Sequence, residues 1–220
     1  MKFPSLCDNK LAEFSGIMLG DGSIGIYECR NGKGKTIQHR VKISLNSNNE
    51  LEYAEYIGNL IEDLFSLKPL KRFRIKENTL DLLIFRKDVV NFLTTELGLL
   101  LSPKMNRAKI PKIYLNNSFE LLVLRGYFDT DGCLTIVNNN GILYPRLEMK
   151  ICTSPMQGQF VEILKRNEFR FGCYKIGNGN VRVQLNGLHE LNKWHRLVGF
   201  SNNRILKRYR KIMVARVGLS

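Results

Sequence analysis

Two nine-residue segments constrain this chain more than anything else in it. Phe14-Ser15-Gly16-Ile17-Met18-Leu19-Gly20-Asp21-Gly22 and Leu124-Arg125-Gly126-Tyr127-Phe128-Asp129-Thr130-Asp131-Gly132 each close an apolar helical stretch with an aspartate followed by glycine. Each also sets a glycine, Gly16 or Gly126, five residues ahead of that aspartate. A residue without a side chain in mid-helix costs about 1 kcal/mol against alanine. Close approach of two helix backbones offsets that cost, because glycine lets the axes pack nearer than bulkier residues permit. If the two stretches pair in this way, Asp21 and Asp131 meet at the axis between them.

The surrounding chain repeats as well. Residues 10–20 carry apolar positions at helical spacing, with Asp8 as N-cap. Alternating stretches follow at residues 23–27 and 40–45, and Asn31-Gly32-Lys33-Gly34-Lys35 between them predicts a hairpin with a long exposed turn. Over residues 48–64 the apolar positions Leu51, Ala54, Ile57, Leu60, Ile61 and Leu64 give an amphipathic helix that covers a sheet. Residues 70–76 and 79–85 alternate around Glu77-Asn78, and residues 88–97 return to helical spacing. The order is αββαββα.

After residues 102–117, which contain Pro103 and Pro111, the succession restarts. It runs through a helix at 119–130, strands at 133–137 and 146–152, a helix at 155–167, strands at 171–176 and 181–185, and a helix at 188–198. A basic segment at 204–216 predicts one more helix. The expected fold class is α+β, with two pseudo-symmetric αββαββα halves at 1–101 and 118–220, a linker at 102–117, and packing through the two motif helices.

Charge narrows the partner. The 220 residues hold 34 Lys plus Arg against 20 Asp plus Glu, a net charge of +14, which implies a polyanion. Apolar runs such as residues 97–101 are too short to span a bilayer, and no single basic helix with a broad apolar face dominates, so an anionic membrane is disfavoured. Without a signal-like stretch at Met1-Lys2-Phe3-Pro4, the expectation is a soluble intracellular protein, its compartment open. Five cysteines without a CxxC pair suggest reduced, partly buried thiols. His39, His189 and His195 show no ligand spacing for zinc.

The repeated aspartates carry the chemistry. A carboxylate at the C-terminal end of a helix faces the negative pole of the macrodipole, and two such ends brought together repel further. A divalent cation relieves that repulsion. Asp21 and Asp131, with the helix-end carbonyls of Gly20 and Thr130, form a hard oxygen set suited to Mg²⁺ or another cation such as Mn²⁺. Such a site can activate water and stabilise phosphodiester cleavage.

Both segments resemble the motif of the LAGLIDADG homing endonuclease family, in its single-chain, two-motif form, and the resemblance covers essentially the whole chain. It implies two αββαββα halves about a pseudo-dyad, with saddle-shaped sheets along the DNA major groove. It also implies that the eighth motif positions, Asp21 and Asp131, are catalytic acids for a Mg²⁺-dependent cut of both strands that leaves short 3′ overhangs. The sequence departs from the pattern at Phe14 and at Leu19, where the second copy keeps Asp129. Asp129 reads as a helix-end polar residue rather than a third ligand. Family members use further basic groups near the scissile phosphates; Lys104 is the candidate, with Arg204 near the corresponding place in the second half and Lys150 on the second sheet.

Alternation along the strands predicts the DNA-reading set. Val41 and Ile43 inward place Arg40, Lys42 and Ser44 outward; Phe73 and Ile75 inward place Arg72, Arg74 and Lys76 outward. The second half yields Arg146, Glu148, Lys150, Lys175, Arg182 and Gln184. Such side chains match base edges in the major groove, whereas the last helix suits phosphates. The expected partner is one long double-stranded DNA site bound by a monomer, with intron RNA as a second possibility. The competing function is an RNA maturase or a non-cleaving DNA-binding regulator on the same fold, which would keep the basic strands without needing the acid pair.

Overall fold

The computed structural model describes residues 3–31 and 34–217. Helix α1 (Asn9–Leu19) opens on Asp8, whose carboxylate accepts from the backbone N–H groups of Lys10 and Leu11 at 2.7 and 3.4 Å. Its chain runs straight into β1 (Gly22–Asn31) and β2 (Gly34–Asn46), then α2 (Leu51–Phe65), β3 (Leu70–Arg74), β4 (Thr79–Ile84) and α3 (Lys87–Asn91), which continues as one wider turn over Phe92–Glu96. The second half follows as α4 (Phe119–Asp131), β5 (Gly132–Asn139), β6 (Ile142–Ile151), α5 (Met156–Arg166), β7 (Gly172–Lys175), β8 (Val181–Asn186), α6 (Gly187–Leu197) and α7 (Asn203–Val217). The two four-stranded antiparallel sheets have the orders β1-β2-β4-β3 and β5-β6-β8-β7. The duplication read from the sequence is therefore present strand for strand.

Local sequence explains the elements and two departures from expectation. Pairing in the first hairpin continues until Asn31 faces Gly34, so the strands run well into the segment expected to be a long turn; Gly32 and Lys33 lie outside the described residues. In the second hairpin Asn139 pairs with Ile142, leaving Asn140 and Gly141 as a two-residue turn with φ of 50° and 85°. Those values define the turn type that matches strand twist, and Asn-Gly tolerates them best. The second departure is β3, which stops at Arg74 because Ile75–Glu77 winds into a short 3₁₀ turn. Phe73 and Ile75, expected inward, are 55% and 84% exposed, Phe73 on the edge strand and Ile75 in the 3₁₀ turn that follows it.

Each sheet buries one face. Val41, Ile43 and Leu45 of β2 and Leu80, Leu82 and Ile84 of β4 meet α2 through Ala54, Ile57, Ile61 and Leu64. Leu147, Met149 and Ile151 of β6 and Val183 and Leu185 of β8 meet Phe160, Ile163 and Leu164 of α5 and Trp194 of α6. Full burial of side chains of this size contributes about 1.5–3 kcal/mol each. The segment joining the halves also packs: Ala108, Ile110 and Tyr114 are buried in the same continuous core.

Between the halves, α1 and α4 pack backbone to backbone. A Cβ on Gly16 would overlap the carbonyl oxygen of Val123 and lie 2.8 Å from the amide nitrogen of Tyr127. Reciprocally, a Cβ on Gly126 would overlap the carbonyl oxygen of Glu13 and lie 2.9 Å from the amide nitrogen of Ile17. The two mid-helix glycines thus repay their cost as the sequence implied. Beside them the buried Glu13 carboxylate pairs with Arg125 of the other half and accepts from the Tyr56 hydroxyl at 2.9 Å.

Gly126→Ala is expected to cost about 3 kcal/mol, the upper range for overpacking, and to lower the melting temperature by roughly 6–12 °C. Gly158, in α5, has open space around its Cβ position, so Gly158→Ala should stabilise the chain by about 0.5–1 kcal/mol. Thermal scans of the two variants check the contact, and equal effects would refute it.

Candidate active site

The close helix pair decides where the repeated aspartates end up. Asp21 follows the last turn of α1, Asp131 is the last residue of α4, and both chains enter a strand at the next residue. The Asp131 carboxylate reaches over the backbone of Gly20, where a Cβ would come within 3.0 Å of its Oδ2. The side chain of Thr130 abuts Gly20 from the same helix end, and its hydroxyl donates to the Tyr127 carbonyl at 2.9 Å. Gly20 therefore gives room for the second half's acid to cross to the first.

The electrostatics are those of two crowded anions. Asp21 is pushed up to about 7, first by burial and then by repulsion from Asp131 and Glu50, with Lys104 opposing. Asp131 is pushed up to about 6 by burial, against the pull of Lys104 and Lys150. Lys104 is itself lowered by burial, with the two aspartates acting to hold its charge. Its ammonium donates to the carbonyls of Met18, Leu19 and Gly20 at 2.9, 2.8 and 2.6 Å, so it caps the negative end of α1. The expectation of a free Gly20 carbonyl is not met, because that oxygen carries Lys104.

The donor set nonetheless suits a hard cation. Two carboxylates held against their charge and helix-end carbonyls are oxygen ligands of the kind Mg²⁺ takes, with water and substrate oxygens completing the shell. No group of three or more His, Cys, Asp or Glu side chains is arranged around a metal among the described residues. Asp129 stands apart from this centre. It is fully buried, accepts from the backbone N–H groups of Ser201 and Asn202 at 2.6 and 3.1 Å, and is raised to about 8 by burial. It fastens the end of the second half to the motif helix.

Strand register places the DNA-reading candidates. Lys42 lies opposite Ser23 and Leu83, Arg40 opposite Gly25, and Ser44 opposite Asp81, all on the face away from the core. Arg72 joins them opposite Asp81, as does Arg74 opposite Thr79. Gln38, Arg40, Lys42, Arg72 and Arg74 line an open groove of about 330 Å³. Asp81, almost fully buried, accepts from Ser44 at 2.7 Å and from Arg74 at 3.0 Å, which hold its carboxyl below the ordinary value although burial acts the other way. Lys76 falls in the 3₁₀ turn, outside the strand expected to carry it.

In the second sheet Arg146, Glu148 and Lys150 of β6 share the open face with Arg182 and Gln184 of β8. Glu148 accepts from Gln184 at 2.7 Å and pairs with Arg182 at 3.2 Å. Lys175 does not belong to this set. It lies opposite Val181, on the other face of β7, and Tyr174 takes the open face opposite Arg182. The reason is one residue of register: β7 starts at Gly172, whose missing side chain admits the Tyr174 ring over it.

Aromatic partners on these faces escaped the strand alternation. Tyr27 takes a hydrogen bond at 2.8 Å from Arg40, whose guanidinium lies 4.4 Å from its ring centre, and the Tyr144 hydroxyl accepts from Arg146 at 2.9 Å. Tyr27 and Tyr144 occupy the open face beside the arginines, a signal visible only once Gln38 and Val137 are known to be their pairing partners.

No protein-family model and no curated protein matches this chain. Solved structures do. I-SmaMI, bound to uncleaved DNA target in the presence of calcium ions, is similar with a TM-score of 0.64 at 10% identity, covering 95% of this chain and 93% of that one. The LAGLIDADG homing endonuclease I-LtrWI bound to target DNA gives 0.62 at 13% identity over 94% and 89%. The LAGLIDADG homing endonuclease I-GzeII in complex with its DNA target gives 0.63 at 12% identity over 97% and 93%. What is shared at these identities is the fold, and the chain has the two-motif LAGLIDADG fold.

Because Asp21 and Asp131 titrate higher in the folded chain than in the unfolded one, the native state binds more protons between about pH 4, the ordinary aspartate value, and about 7. Their contribution to stability is full at low pH and is lost as pH rises through that window. Asp21→Asn should therefore raise the melting temperature at pH 8 more than at pH 5, by on the order of 2–5 °C in chelator. An opposite sign in pH-resolved thermal scans would mean that the folded site favours the carboxylate.

Proposed function

We propose that this chain is a site-specific endonuclease that binds one long double-stranded DNA site as a monomer and cuts both strands. The observation that supports it best is the meeting of Asp21 and Asp131 at the helix-pair ends, with a basic sheet face on either side. A major groove is wide enough to admit a β-ribbon, and the pair of sheets gives a long binding surface.

Within this reading Asp21 and Asp131 hold Mg²⁺ or a similar cation, with the Thr130 carbonyl as a further donor and Gly20 contributing once Lys104 shares its oxygen. The cation, when bound, lowers the pKa of a water and offsets the charge that builds on a phosphate. The chain's own groups do the rest. Lys104, held by the carbonyls at the end of α1 and drawn by both aspartates, stands at the centre where scissile phosphates arrive. Arg40, Lys42, Ser44, Arg72 and Arg74 read one half of the site, and Arg146, Glu148, Lys150, Arg182 and Gln184 the other. Asp81 and Glu148 fix the arginines' geometry before DNA binds, which reduces the ordering cost of recognition. The basic face of α7, with Lys207 and Arg208, suits phosphates.

Asp21→Asn or Asp131→Asn should lower double-strand cleavage by roughly a thousandfold or more while leaving site-specific binding within a few-fold. Incubation of a randomised duplex library with and without Mg²⁺, followed by sequencing of the ends, measures this. Mg²⁺-dependent breaks at one long site with short 3′ overhangs are expected, and selective binding without breaks by the wild type would make the protein a binder instead. For binding itself, Arg40→Ala or Arg72→Ala should cost about 1–3 kcal/mol. Lys175→Ala, on the opposite face of its strand, should stay within about twofold, and log affinity should fall linearly with log salt concentration. A flat salt response in filter binding would exclude phosphate contact.

A further inference from the structure

The two halves differ in one place that bears on the order of the cuts. Lys104 packs at the start of β1, beside Gly22, Ser23 and Ile24; Arg204 packs at the start of β5, beside Gly132, Cys133 and Leu134. The segment carrying each cation also reaches across to the other half. The Ala108 carbonyl accepts from Met156 at the start of α5, and Lys207 pairs with Glu52 at the start of α2. Lys104 and Arg204 are thus counterparts about the pseudo-dyad.

Their surroundings are not equivalent. The residue ahead of α2 is Glu50, only 8% exposed, and its Oε1 accepts from the Arg204 guanidinium at 2.8 Å. Its Oε2 is fixed by the backbone N–H of Asn46 at 3.0 Å, and the Asn202 amide lies against Oε1 at 3.4 Å. The residue ahead of α5 is Pro155, which has no carboxylate to offer Lys104. Lys104 donates to neutral carbonyls beside the acid pair, whereas Arg204 is neutralised by a built, half-buried ion pair.

Resting on the nuclease reading above, we propose that Glu50 sets the order of strand cleavage by withholding Arg204. In each cut a water oxygen bonds to phosphorus, a P–O bond to a sugar oxygen breaks, and the proton lost by the water goes to that leaving oxygen. Charge accumulates on the phosphate on the way, and a nearby cation stabilises it. Lys104 is ready to do so at one strand. At the other, Arg204 must first leave Glu50, so that strand is cut second and a nicked intermediate accumulates. Glu50 is a positioning residue here, acting through Arg204.

The test uses a supercoiled plasmid bearing the site recovered from the randomised library, to follow nicked circles, and a linear duplex of the same site with each strand end-labelled, to identify the strand cut. The wild type is expected to nick one fixed strand first and to accumulate open circles. Glu50→Gln, which keeps an acceptor for Asn46 but drops the charge, should speed the second cut roughly fivefold, the scale of one released ion pair, and shrink the nicked peak without a matching change in the first cut. Arg204→Met should slow the second cut at least about tenfold more than the first, and it decides the matter should Glu50→Gln fail to fold. Equal strand rates in the wild type, or equal shifts of both strands in the variants, would overturn the timing and leave the nuclease standing. Absence of Mg²⁺-dependent cutting of either strand would overturn both.

Discussion

Everything that functions in this molecule depends on how closely α1 and α4 approach. Gly16 and Gly126 let each helix backbone rest on the other, and no larger residue fits at either place. That contact brings the ends of both helices together, and those ends carry Asp21 and Asp131. Since β1 and β5 begin at the very next residue, the same contact also sets where the two sheets diverge from the centre. Electrostatic strain accompanies this geometry: burial raises both acids, and Asp21 is raised further by repulsion from Asp131.

Much of this was legible in the sequence because the relevant physics is local or periodic. The duplicated order of elements, the Asp8 cap, the inward sides of β2, β6 and β8, and the need for close helix packing all follow from residue spacing. Legibility failed at the edges. Alternation reports which face is buried only where something buries it, so Phe73 of β3 is exposed rather than inward, Ile75 and Lys76 lie beyond the strand, and Lys175 fell on the wrong side of β7. Two further misses are long-range. Nothing near Lys104 in the chain shows that it reaches the carbonyls of α1, and nothing near Glu50 shows its pairing with Arg204.

The open sheet faces are less simply basic than net charge suggests. Asp81 anchors Ser44 and Arg74, Glu148 anchors Gln184 and Arg182, and tyrosines hold Arg40 and Arg146. A cation fixed in direction can discriminate between bases, whereas a free one adds mostly to affinity. On the nuclease reading proposed above, the acids on these faces are part of recognition, and removing them would trade selectivity for stickiness.

The Glu13–Arg125 pair also says something about ancestry and parts. Glu13 and Ser15 sit on α1 where Val123 and Arg125 sit on α4, so the acid comes from one half and its cation from the other. Two copies of the first half, docked in the same way, would bury a pair of like carboxylates with only serines to meet them; two copies of the second would bury two guanidiniums against valines. Neither half can serve as its own mate. The repeat has become a matched couple, and a chimaera that borrows one half from a related protein must bring the complementary charge with it.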